Sequence, residues 1–255
     1  RGSLYRLVRL AAIMTTIANN LQQVNDRISQ ACRAAGRARE EVALLAVSKT
    51  FGAEAVVEAA AAGQRAFGEN YIQEGVDKIL ALRTQLSFAL QWHCIGPIQS
   101  NKTRPVAEHF DWVHTVDRLK IAQRLSDQRP QGLPALNVCI QVNVDCGETK
   151  AGVAPEDALE LALAVAKLPR LRLRGLMSIP DASPDFAAQK AVHSAARALF
   201  DQIRKALVEV GIPDAEAFDT LSLGMTADLD AAIQAGSTLV RVGTGVFGGR
   251  TYPPA

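Results

Sequence analysis

Short runs of β-branched and apolar residues alternate along the chain with Ala-rich stretches whose apolar positions recur every three or four residues. The first pattern marks buried strands and the second amphipathic helices. The opening helix reads from Met14, with Thr15 or Thr16 as N-cap and Gly36 at its C-terminal end. Strands are predicted at 42–49 (VALLAVSK), 66–69, 92–96, 112–117, 135–144, 171–179, 219–224 and 238–244. Helices are predicted between them at 53–63, 71–86, 99–108, 118–128, 155–168, 184–210 and 226–236. Pro155 stands at the first helical position of its segment and acids follow it, a strong helix start.

Strict strand–helix alternation with short connections implies parallel strands joined by right-handed crossovers. A doubly wound sheet competes with a closed barrel. Eight units in about 210 residues favour a single (β/α)8 TIM barrel with an extra N-terminal helix, spanning 14–255. No GxGxxG follows the first strand and no Walker A motif occurs, so dinucleotide and P-loop readings lack support. Residues 1–13 (RGSLYRLVRLAAI) interleave arginine with apolar residues and read as an N-terminal extension, with a mitochondrial-type presequence as the alternative.

Composition narrows the function. Lys+Arg at 28 against Asp+Glu at 26 gives a formal net charge of +2, no field that selects nucleic acid or a membrane surface. Four cysteines form no CxxC and no zinc-spaced cluster, so no metal is expected and a reducing, cytoplasmic setting is. No large apolar helix face stands out, which favours a monomer.

In such a barrel chemistry gathers at the C-terminal ends of the strands. Lys49 ends the first strand. A lysine at a strand end usually snorkels to solvent, but an amine desolvated there becomes a nucleophile able to condense with an aldehyde. LSLGMT (221–226) and RVGTG (241–245) end the seventh and eighth strands, where barrels commonly bind phosphate. The alternative is that these glycines only serve turns. Arg241 alternates with Leu239 and Gly243 on one face of its strand, and an interior guanidinium needs a partner. Glu69 or a ligand acceptor are the candidates. Glu69 and Asn70 follow the second strand, and His93 lies in the third. His109, His114 and His193 show no convincing partner in the sequence and read as structural or surface, and Lys150 reads as a loop lysine.

Taken together and in order, AVSKT, FGENY, WHCIGPIQSNK, RGLMSIP, LSLGMT and RVGTGVFG resemble the pyridoxal phosphate (PLP) homeostasis proteins from about Met14 to Gly249. The resemblance implies a barrel similar to the N-terminal domain of alanine racemase. It implies Lys49 as the PLP aldimine lysine, and Ser222, Gly243 and Thr244 as the phosphate cradle with Met225 nearby. It implies Arg241 against the pyridine nitrogen, and Asn70 and His93 as pocket residues. Cys94 stands where the family often has Phe or Met. Phe51 stands where a second lysine is frequent, which removes a secondary lysine relay. The function implied is binding, storage or delivery of PLP, with PLP-requiring apo-enzymes as partners and no catalytic residue. The alternative is a PLP-dependent amino-acid racemase. Two-base racemization needs acid–base groups on both faces of the substrate. The chain ends soon after its eighth strand, and its tyrosines are only Tyr5, Tyr71 and Tyr252, so the carrier reading is favoured.

Overall fold

The computed structural model describes residues 2–249, the backbone alone over 2–15. Tyr252 and the Pro-rich tail lie outside the described residues. Eight parallel strands close into one barrel in sequence order. They are β1 (Ala43–Val47), β2 (Ala66–Glu69), β3 (Gln91–Cys94), β4 (Trp112–Val116), β5 (Leu136–Gln141), β6 (Leu171–Met177), β7 (Thr220–Ser222) and β8 (Leu239–Val242). The helices are α1 (Gly2–Ala34), α2 (Ala53–Ala61), α3 (Ile72–Gln85), α4 (Thr103–His109), α5 (Leu119–Gln128), α6 (Pro155–Ala166), α7 (Phe186–Val210), α8 (Leu229–Ala235) and α9 (Thr244–Phe247). The predicted TIM barrel and its extra N-terminal helix are both present.

Each strand is buried on two faces, which is why it reads as an apolar run rather than an alternation. In β1, Leu44 and Ala46 join the shell between strands and helices. Leu45 and Val47 instead pack inside the barrel with Ile95 and Leu239. Trp112, Cys139 and Met177 form a second internal cluster. Val47, Lys49 and their counterparts on the other strands therefore mark the inward phase.

Several boundaries differ from the sequence reading; the strand expected to reach 244, for one, ends at Val242, and Thr244 already opens α9. α1 runs from Gly2 through Thr15 and Thr16 without a cap, because the Leu, Arg and Ala residues before them are good helix formers and hold no breaker. The helix expected at 99–108 begins only at Thr103. Pro105 lacks an amide hydrogen and fits only the first turn, so residues 100–102 form a separate 3-10 turn. β5 stops at Gln141, after which Val142 makes only an isolated bridge to Val153. Two glycines permit close approaches. A Cβ at Gly175 would lie 1.5 Å from the Thr220 carbonyl oxygen, where β6 meets β7. A Cβ at Gly96 would lie 2.0 Å from the Asn70 carbonyl oxygen, so the chain leaving β3 can pass the end of β2 only as glycine.

Candidate functional site

The turn after β1 is held from three sides. Ser48 carbonyl oxygen accepts from the Phe51 amide at 3.1 Å and from Lys78 Nζ at 2.8 Å. Thr50 has φ 68°, a left-handed conformation that is rare for a β-branched residue and costs about 1–3 kcal/mol. Its amide donates to Glu74 Oε1 at 2.6 Å, which offsets that strain. Lys49 sits between these two fixed residues, half-buried, and makes no hydrogen bond or ion pair with the described residues. Its amine is thus left available while its backbone is not free to move.

Beneath the turn lies a buried ion cluster. Lys78 Nζ is 2.8 Å from Glu69 Oε1 and 2.7 Å from Glu74 Oε1, and Ser48 Oγ donates to Glu69 Oε1 at 2.6 Å. Burial pushes the Glu69 carboxyl above its ordinary range, and the bonds from Lys78 and Ser48 offset only part of that. Glu69 is therefore occupied by Lys78, and Arg241 finds other partners. Lys78 was missed in the sequence. Its signal is that it falls on the buried stripe of α3 with Gly75, Val76, Ile79 and Leu82.

Arg241 is buried inside the barrel. Nη1 donates to the Ser222 carbonyl oxygen at 2.8 Å and to Ser222 Oγ at 2.7 Å, and Nη2 donates to the Ser178 carbonyl oxygen at 3.1 Å. Burial lowers its pKa to about 10, with Asp228 and Cys139 acting the other way, so the guanidinium stays charged at neutral pH. Ser222 Oγ also lies 2.9 Å from His114 Nδ1. His114 Nε2 lies 2.8 Å from His93 Nδ1, and His93 Nε2 lies 3.0 Å from Gln91 Oε1. His114 is thus no surface residue. It is fully buried and joins His93 to Ser222. Burial lowers His93 to about 3 and His114 well below its ordinary value, with the charges of Arg174 and Arg241 adding to the effect, so both rings are neutral. His93 also stacks on Trp112 with centroids 5.0 Å apart, and the Arg174 guanidinium lies over the Trp112 ring, 4.5 Å from its centroid.

The loop after β7 is fixed by Asp228. Its Oδ1 accepts from the Met225 amide at 2.7 Å and its Oδ2 lies 2.8 Å from His193 Nε2. Burial alone would raise the Asp228 pKa, but these two bonds hold it below the ordinary carboxylate value. His193, taken from the sequence to lack a partner, anchors this loop from α7. Gly224 has φ 97° and a Cβ there would lie 2.6 Å from Ala232 Cβ, so the turn requires glycine. The Met225 side chain is exposed at this rim.

At the end of β8, the register that pairs Ala46 with Val242 sets Gly243 beside Val47. A Cβ at Gly243 would lie 3.4 Å from the Val47 carbonyl oxygen. Thr244 and Gly245 open α9, and their first-turn amides have no intrahelical acceptor. Phe51 stacks on Phe247 with centroids 5.2 Å apart, joining the lysine turn to α9. On the other side of β1, Asn70 leaves β2 with its Oδ1 buried and without a partner. Lys49, Asn70, Gly243 and Thr244 thus lie on three adjacent strand ends, while Ser222, Arg241 and His93 form one hydrogen-bonded group inside the barrel. Lys150 bridges Asp145 at 2.7 Å and Asp181 at 2.9 Å, tying the loops after β5 and β6 together. Among the described residues no cluster has metal-ligand character. Burial pushes the Cys94 and Cys139 thiols up to about 12, which leaves them unreactive.

The closed barrel with a lysine at the end of β1 and glycine turns after β7 and β8 defines a class. The family model described as alanine racemase, N-terminal domain, matches residues 17–251. Within that class the chain belongs to the pyridoxal phosphate homeostasis protein family. It is 56% identical over 239 residues to the pyridoxal phosphate homeostasis protein of Pseudomonas aeruginosa, covering 94% of this chain and 98% of that one. It is 53% identical to the pyridoxal phosphate homeostasis protein of Escherichia coli K12, covering 94% of this chain and 99% of that one. PipY of Synechococcus elongatus, solved with PLP bound, is 33% identical with a TM-score of 0.76 over 91% of this chain and all of its own length.

Proposed function

We propose that this protein binds PLP at Lys49 and serves PLP homeostasis as a carrier without turnover. The observation that carries the reading is the unpaired Lys49 amine, held in a rigid turn one strand away from the open amides of Thr244 and Gly245. The residues present fit the cofactor. Lys49 is free to bond its aldehyde carbon. The first-turn amides of α9 suit a phosphate dianion. Asn70 Oδ1 is a buried acceptor still lacking a donor. Relatives in the same family carry the homeostasis name, and PipY has been solved with PLP bound.

PLP supplies an aldehyde that condenses reversibly with amines and, when its ring nitrogen is protonated, an electron sink. Arg241 is the residue for the ring nitrogen. A guanidinium that remains charged donates hydrogen bonds and takes no proton, so it leaves that nitrogen as an acceptor. Ser222 enters the reading through Arg241, to which its hydroxyl is committed, and the phosphate is assigned to Gly243, Thr244 and Gly245. His93 likewise acts from inside the barrel, and Met225 borders the rim. The carrier reading extends to a monomer in the cytoplasm that hands PLP to apo-enzymes. The four cysteines are free, in keeping with a reducing compartment, and no helix among the described residues is long and apolar enough to cross a membrane.

The test is the absorbance spectrum of purified protein with added PLP, before and after an amino acid, alongside a chiral assay of alanine and serine. The expected result is a bound-cofactor band with no enantiomer formed. Turnover by pure protein that is lost in Lys49→Ala would establish the racemase instead.

A further inference from the structure

The row Arg241, Ser222, His114, His93 and Gln91, buried up to its exposed end at Gln91, favours one arrangement of protons. A guanidinium has donors only, so Ser222 Oγ accepts from Arg241 Nη1. The single hydroxyl proton of Ser222 then needs an acceptor, and His114 Nδ1 at 2.9 Å is the one beside it. A proton on His114 Nδ1 would leave the buried Ser222 proton with nowhere to go, at a cost of about 1–3 kcal/mol. Neutral His114 therefore carries its proton on Nε2 and donates to His93 Nδ1 at 2.8 Å. Neutral His93 carries its proton on Nε2 and donates to Gln91 Oε1 at 3.0 Å. Gln91 is exposed at the start of β3, at the opposite end of the barrel from the Lys49 turn. Every donor in the row points away from Arg241.

We propose that His114 and His93 are positioning residues that act through Ser222 to hold Arg241 as a donor toward the ring nitrogen of the cofactor. Two of the guanidinium nitrogens are pinned, Nη1 on Ser222 and Nη2 on the Ser178 carbonyl oxygen, so the group cannot turn. A row that runs outward from Arg241 delivers no proton to it. With PLP bound, a guanidinium so held would offer the ring nitrogen only donor hydrogens and leave it as an acceptor. Trp112 stacks on His93, Arg174 lies over Trp112, and both histidine rings are buried. The proposal rests on the reading of Arg241 given above.

Two measurements test it. Full-length protein labelled with 15N-histidine, with and without PLP, reports the ring tautomers by long-range proton–nitrogen correlation. His93 and His114 are expected neutral with the proton on Nε2 at pH 7; a proton on Nδ1 of either ring, or a charged ring, overturns the row. PLP titrations then compare Ser222→Ala, His114→Leu and His114→Gln by affinity and by the absorbance of the bound cofactor. Ser222→Ala and His114→Leu are expected to bind about tenfold more weakly with a shifted band. His114→Gln keeps one acceptor and one donor and is expected to restore both. Ser222→Ala removes a single oxygen and decides the matter if His114→Leu does not fold. Wild-type affinity and band in both broken variants overturns the positioning role. A wild-type protein that takes up no PLP overturns the cofactor reading itself, whereas Nε2 tautomers in that same protein still support the row.

Discussion

At the scale of single residues, the interior of this barrel is unusually polar, and the polar groups are paired rather than solvated. His93 and His114 are held neutral by burial and by nearby cations. In the unfolded chain both titrate near 6.5. Their folded pKa values are depressed, so the stability they allow is present above pH 6.5 and is lost as pH falls below it, for His93 down to about 3. Each histidine is expected to cost about 1.4 kcal/mol per pH unit below 6.5. Urea denaturation between pH 7.5 and pH 5 measures the slope, and His114→Gln should reduce it. An unchanged slope in that variant would show that the ring protonates in the folded state. Lys78 gives a second test. It is the cation beside the fully buried Glu69, so Lys78→Met is expected to destabilise the fold by about 3–5 kcal/mol. A thermal melt that matches wild type would show that Glu69 is already neutral without it.

These residues also show where sequence reading stops. Lys49, Arg241 and the two glycine loops were legible because barrel chemistry lies at strand ends and because a short alternation fixes the inward phase of β8. His114 was not, since WVHTV is buried throughout and a run apolar on both faces does not reveal which residues look inward. Lys78 was hidden by its spacing from Glu74, which looks like an ordinary exposed i,i+4 pair on a helix. The partner expected for Arg241 was a carboxylate such as Glu69 or a ligand acceptor. Ser222 and two carbonyl oxygens took that place, because Glu69 had already been claimed from the neighbouring helix.

At the scale of elements, the strands and helices were nearly all readable, since period and breakers are local properties. The exceptions have local causes too, the first-turn demand of Pro105 and the unbroken helix formers ahead of Met14. What was not readable is how one element holds the next. Phe51 on Phe247 couples the β1 turn to α9, and Glu74 of α3 holds the Thr50 amide. Gly96 is a case beside the site. Gly96→Ala would drive a methyl into the Asn70 carbonyl and is expected to cost about 1–3 kcal/mol or more through overpacking. Because Asn70 borders the lysine turn, the same change should weaken PLP binding. A variant of wild-type stability and affinity would show that the chain after β3 can move aside.

At the scale of the whole molecule, the barrel separates two tasks. The C-terminal rim offers an amine, open amides and an unpartnered amide oxygen, and the interior beneath it is a closed set of donors fixed by Arg241. That division suits a protein that takes hold of an aldehyde cofactor and releases it again. The claim is tested most directly by borohydride reduction of PLP-treated protein followed by peptide mapping. A reduced pyridoxyl group on Lys49, absent from Lys49→Ala, is the expected result. Protein that stays unlabelled, or labelling that persists unchanged at another lysine in Lys49→Ala, would contradict it.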